Sequence, residues 1–307
     1  MMWLMAAVLA ASAVPSAPAI PPAQAAIETA RRLLAEGRSA EAIAAFRQAI
    51  ALDPANAAAH NALGSLLNSA GHYAEALPHA EAAARLEPGN ARYRYNRGVV
   101  RAEHGRFAEA IADFDHALAA HPELAYAWLE RGAARLSLGD GAGAERDWAE
   151  AGKRDPQLVW VEWYRATGAF VAGRYADAAA GFDRVAAAEP GFAPAPLWRT
   201  IAHGRAGTPI AAAAAGTEWP APVLDFARGA ITAERLLAIA GEDRASGDRR
   251  RIGEALFFLG QLALIAGRDG AAVGYFRRAL EIVAPRHVWK ISAVRELRLL
   301  EPKARSR

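Results

Sequence analysis

The residues with the most chemical potential in this chain are few, and their spacing argues against catalysis. The run Gly139-Asp140-Gly141-Ala142-Gly143 is rich enough in glycine to wrap a phosphate, but it follows no strand and is no Walker loop, so it reads as a turn. His60, His72 and His79 lie close together in sequence without the spacing of metal ligands, and no metal site is expected. Neither a G-x-S-x-G nor an H-E-x-x-H pattern occurs. The absence of cysteine excludes disulfides, thiol catalysis and thiolate metal sites. No catalytic residue and no cofactor is therefore expected, and the chain reads as a non-enzyme. Three arginines, Arg97, Arg131 and Arg165, recur at one spacing and would stack along the molecule as an anion-binding row. Asp113 and Asp147 recur in step with the first two, however, so Arg97 with Asp113 and Arg131 with Asp147 are expected to pair inside the fold.

Such spacing needs elements to carry it. The chain has 307 residues, 53% hydrophobic and 22% charged, which is enough apolar surface for a large core. Alanine dominates, and alanine loses no side-chain entropy in a helix, so the expected class is all-α. The formal charge is only +3 with both signs interspersed, and the triplet Arg249 to Arg251 and the tail residues Lys303, Arg305 and Arg307 are too sparse to imply a nucleic-acid partner. Trp3 to Val14 is an apolar run too short to span a bilayer, followed by Pro/Ala-rich sequence and Ala23-Gln24-Ala25, which fits a signal-peptidase site. A cleaved leader and a periplasmic or secreted location are expected, against the alternative of a leader that is merely disordered or adsorbed to a membrane; no later segment is expected to span one.

The elements are set by a period. Pro54, Pro88, Pro122, Pro156 and Pro190 follow one another at intervals of 34 residues. Units beginning at Ala23, Ala57, Ala91, Ala125 and Val159 then align. Small residues fall at the eighth position (Ala30, Gly64, Gly98, Gly132, Ala166) and the twentieth (Ala42, Ala76, Ala110, Ala144, Ala178), where two helices approach closely. The fifteenth is always glycine (Gly37, Gly71, Gly105, Gly139, Gly173), as the end of a first helix requires. The twenty-fourth carries a large knob, Phe46, Phe114, Trp148 or Phe182, except at Ala80. Each closing proline stops the second helix.

This pattern resembles the tetratricopeptide-repeat (TPR) family, which implies a right-handed solenoid of helical hairpins that binds protein or peptide partners. The predicted organisation is a leader over 1–25, five units over 23–192, an irregular sixth helix pair with an insertion over 193–252, a further unit over 253–286, and a capping helix with a basic tail over 287–307. The last third is more particular. Trp219 with Val223-Leu224-Asp225-Phe226, Gly229-Ala230-Ile231-Thr232 and Leu236, then Glu254 to Gly260, Gly267 and Tyr275-Phe276, then Ala293, Glu296-Leu297 and Leu299-Leu300 resemble bacterial envelope TPR lipoproteins of the new lipoprotein I type. That resemblance implies an envelope scaffold that brings peptidoglycan hydrolases and a processing protease together, often as a homodimer. There is no lipobox cysteine, and Ala227-Arg228 stands where that family has larger apolar residues, so a soluble periplasmic relative is the expectation.

In such an array the concave face is lined by the first helix of each unit. The candidate partner-binding residues are Asn61, Ser65 and Asn68 from the second unit, Arg92, Tyr95 and Asn96 from the third, Tyr126, Leu129 and Glu130 from the fourth, and Trp160, Trp163, Tyr164 and Phe170 from the fifth. The face grades from polar to aromatic, and aromatic side chains carry much of the binding energy of protein interfaces. The alternative is that Trp160, Trp163 and Phe170 serve to contact the irregular sixth unit. A cytosolic co-chaperone-type receptor for peptide tails is the second functional reading, though Arg92 is a single cation beside Asn61, Ser65 and Asn96 where the carboxylate clamp of that class uses several.

Overall fold

The computed structural model describes residues 20–192, 194–208, 219–241, 249–282 and 288–304. The apolar run of the expected leader lies outside them, while Ala23-Gln24-Ala25 falls in the first turn of a helix. Five antiparallel hairpins come first: α1 (Pro22–Ala35) with α2 (Ser39–Leu52), α3 (Ala57–Ser69) with α4 (Tyr73–Leu86), α5 (Ala91–Glu103) with α6 (Phe107–Ala120), α7 (Ala125–Ser137) with α8 (Gly141–Arg154), and α9 (Val159–Val171) with α10 (Tyr175–Ala188). Every second helix stops two residues before its proline. Each hairpin turns on its fifteenth-position glycine, at φ from +74° to +88°, a conformation that a Cβ disfavours. The glycine-rich run is such a turn: Gly139 has φ +88°, and the Asp140 carboxylate caps α8 by accepting from the Gly143 amide at 2.8 Å. Asn56 and Asn90 cap α3 and α5 in the same way.

Inside each hairpin the eighth-position residue meets the knob of the second helix. A Cβ on Gly98 would lie 2.8 Å from the Phe114 ring, and one on Gly132 only 2.5 Å from Trp148. In the second unit, where the knob is Ala80, the backbones themselves come close, and a Cβ on Gly64 would stand 3.1 Å from the Ala80 nitrogen. Gly98→Leu is therefore expected to cost about 1–3 kcal/mol by overpacking, read as a lowered melting temperature. The expected ion pairs form. Arg97 donates to Asp113 at 2.9 and 2.5 Å, and Arg131 to Asp147 at 3.0 and 2.7 Å, with both aspartates buried. Gly181 replaces the corresponding aspartate in the fifth unit, and Arg165 turns to Glu145 instead, at 3.3 Å. The arginine row is thus held by the fold.

Beyond Pro190, α11 (Ala195–Arg205) continues the stack on α10. Two short helices follow, α12 (Ala221–Ala227) and α13 (Ala233–Ala240), and then the hairpin of α14 (Arg249–Ile265) and α15 (Asp269–Glu281). This hairpin repeats the knob geometry, for a Cβ on Gly260 would meet the Phe276 ring at 2.4 Å. The largest core sits here, built around Trp198, Phe257, Phe258 and Phe276. The last helix, α16 (Val288–Ala304), covers α14 and α15 and also returns to α9. Beside that contact Tyr175 of α10 donates to Glu296 at 2.5 Å, and Arg205 of α11 reaches the same carboxylate at 3.3 Å. No helix among the described residues is long and apolar enough to cross a membrane.

Candidate functional site

The concave face is formed by α3, α5, α7 and α9, which touch in sequence because each is the first helix of its unit. At its polar end Asn96 donates to Asn61 at 2.8 Å, so these two candidates satisfy each other and tie neighbouring units together. Asn68 lies further along α3, its Oδ1 buried with no hydrogen-bond partner among the described residues. Arg92 is exposed at the start of α5, its guanidinium 5.5 Å from the centre of the Tyr93 ring. Tyr95 is half-buried, its ring centre 5.8 Å from that of Phe114.

The aromatic end divides into exposed and packed residues. Tyr126 is 53% exposed and Trp160 41%, the latter meeting Phe192 edge-on at 5.1 Å. Tyr164 stacks on Trp148 at 6.0 Å. Trp163 serves both expectations: it packs against Phe192 at 4.9 Å and Trp198 at 6.1 Å, yet one of its sides still faces the concave space. Leu129 and Phe170 are fully buried and belong to the core, which corrects their reading as groove residues. A leucine or phenylalanine at such positions is drawn inward by the next helix, whereas tyrosine and tryptophan can keep an edge in solvent.

The groove does not run open to the C-terminus. Because α16 returns to α9, the concave space ends in a cleft of about 400 Å³. Trp163, Tyr164, Trp198 and Trp289 supply aromatic walls, and Glu103, Glu130 and Glu254 bring three carboxylates to them. Glu254 also accepts from the Trp219 indole at 2.9 Å. Of these carboxylates only Glu130 was among the sequence candidates. Glu103 holds the thirteenth position of its unit and Glu254 the second position of the unit that begins at 253, so both places on this face were readable from the same rule, whereas Trp289 comes from the capping helix, outside the period.

The histidines of the second unit behave differently from one another. His60 and His79 meet at 3.0 Å between Nδ1 atoms, while His72 stays at the turn before α4. Burial first, and the facing His60 second, push the His79 imidazole below its ordinary value. No group of three or more His, Asp or Glu that could hold a metal occurs among the described residues.

The comparisons agree with this geometry. Family models described as TPR repeat and tetratricopeptide repeat match residues 30–71 and residues 69–123, 95–158 and 232–286, together more than half of the chain. The last of these spans α13 to α15, where the period resumes. A crystal structure of a tetratricopeptide repeat protein from Parabacteroides merdae is similar at 18% identity and TM-score 0.56, covering 91% of this chain and 99% of that one. PilW, described as a widely conserved type IV pilus biogenesis factor, is similar at 18% identity and TM-score 0.50, covering 91% and 98%. At these identities the likeness concerns the fold. No curated protein matches the chain.

Proposed function

Because the chain belongs to the tetratricopeptide-repeat proteins, we propose that it is a non-enzymatic adaptor of the bacterial envelope that seats a protein partner in the concave face of α3 to α9. The observation that carries this reading is the exposure of Tyr126 and Trp160 on the concave face, which ends in an aromatic cleft. Tyrosine and tryptophan side chains bury much area at little entropic cost when a partner covers them. The envelope location is supported by the apolar leader and by the tail stretches that resemble envelope lipoproteins. The same resemblance supports peptidoglycan hydrolases or a processing protease as partners, and a homodimer as the assembled form.

The test is affinity capture from envelope extract with the mature chain, beside a Tyr126→Ala, Trp160→Ala variant. These two are preferred to Tyr95 and Trp163 because they are the more exposed, and since Trp160 meets Phe192 edge-on the variant is first checked for an unchanged melting temperature. Wall hydrolases or a protease should be retained by the parent chain and reduced about tenfold or more by the variant, the loss expected for two interface aromatics. Equal capture by both chains would remove the groove from the reading. Cell fractionation tests the location, which recovery of the protein in the cytosol would contradict, and N-terminal sequencing tests the cleavage, which an N-terminus still at Met1 would contradict.

A further inference from the structure

A second cleft, of about 810 Å³, opens between α16 and the turns at the rim of the third and fourth units. Its floor is apolar, with Phe107, Leu138, Val171, Ile291, Val294 and Leu299. Leu138 and Leu299 are 56% and 50% exposed, so this floor reaches the surface. The α16 wall also carries Lys290, Arg295 and Arg298, and no acidic residue lines the cleft among the described residues. Arg295 is engaged with Glu296 and Tyr175. Lys290 and Arg298 have no ion-pair partner among the described residues. On the opposite wall the His104 Nδ1 is buried without a hydrogen-bond partner there.

The arrangement on α16 has a helical grain. Lys290, Val294 and Arg298 form one row at intervals of four, and Ile291, Arg295 and Leu299 form the next, together running about 13 Å along the axis. The face that buries Trp289, Ala293, Glu296 and Leu300 is separate and already occupied. Two parallel rows of this kind are the ridges between which the side chains of another helix lodge. Apolar residues set between unpaired cations select a partner that is apolar along one stripe and negative beside it. We propose that this cleft is a docking site for an acidic amphipathic helix of a protein partner, distinct from the concave face. Leucine-type side chains enter between Leu138 and Leu299, and carboxylates meet Lys290 and Arg298.

The experiment pans a displayed peptide library on the full chain and measures the selected peptides against three variants. Peptides rich in Asp and Glu interleaved with Leu or Phe are expected. They should bind about tenfold more weakly to Lys290→Glu, Arg298→Glu, since two ion pairs become two repulsions, and should weaken in high salt. Leu138→Asp, on the other wall and in a turn, should weaken them as well, while Tyr126→Ala, Trp160→Ala should not. That last variant separates this site from the groove, for peptides lost only with the groove variant would support the adaptor reading and overturn this one. A selection without acidic enrichment, or indifferent to both cleft variants, overturns it too. So does a peptide-free dimer, seen by sedimentation and abolished by Leu138→Asp, which would give the cleft to a second copy. Retention on phosphatidylglycerol vesicles that is lost with the charge reversal would give it to a lipid surface.

Discussion

Truncating Trp148 to alanine is expected to destabilise the protein by about 3–5 kcal/mol, the range for removing a large buried aromatic without collapse of its site. Trp148 is fully buried and serves two units at once. Its indole presses on Gly132 of its own hairpin and on Gly168 of the next, where a Cβ would lie 2.7 Å away. The indole Nε1–H also donates to the Leu129 carbonyl at 3.3 Å. Both glycines lie on helix backbones that cannot move inward without disturbing a neighbouring unit, so the space should remain as a cavity. In a solenoid each unit is stabilised chiefly by its neighbours. The loss should therefore uncouple the first four units from the rest, and urea unfolding should broaden or split into two transitions. An unfolding free energy within about 0.5 kcal/mol of the parent would contradict the placement of Trp148 between two glycines, since so small a change is typical of surface substitutions.

That junction also shows what could be read from the sequence. Gly132 and Trp148 obey the period, so the hairpins, their turns and the Arg97–Asp113 and Arg131–Asp147 pairs were legible in the sequence, whereas Gly168 stands at a tenth position where the other units carry Arg32, Leu66, Val100 and Ala134, and nothing in the period announces it. Repetition is a local signal, because each unit states the same geometry again. The candidate face was legible to the same extent: positions on the first helices pointed to Tyr126 and Trp160, which are exposed, and to Asn61 and Asn96, which meet. What the period could not convey is the closing of the groove. Trp289 reaches the aromatic cleft because α16 turns back onto α9, and the bond that Tyr175, at the start of α10, makes with Glu296 beside that return joins residues far apart in the chain and is stated only once. Glu296 is marked in the sequence only as part of a resemblance, with nothing in the period to announce that it is 2% exposed.

Glu296→Ala is accordingly expected to release α16. The carboxylate accepts from the Tyr175 hydroxyl at 2.5 Å, from Arg295 at 3.0 Å and from Arg205 at 3.3 Å, and the Arg205 guanidinium also lies 4.3 Å from the Tyr175 ring centre. Removing the anion strands a cation in a largely buried setting, which typically costs about 3–5 kcal/mol. Amide exchange should accelerate through α16 while α5 and α6, remote from the contact, keep their rates. Glu296→Gln, which retains an acceptor for Tyr175, should recover part of the protection. Unchanged exchange in α16 would show that its apolar face alone holds it. The clasp also has a pH signature. Burial, followed by the hydrogen bond to Glu296, pushes the Tyr175 hydroxyl up to about 12 from its ordinary 10.0. The folded chain thus keeps a proton that the unfolded chain gives up near pH 10, so this contribution is complete below about pH 10 and disappears as the pH climbs towards about 12. Tyr175→Phe should flatten the alkaline limb of the stability profile in that window, and a limb of undiminished slope in that variant would place the titration elsewhere.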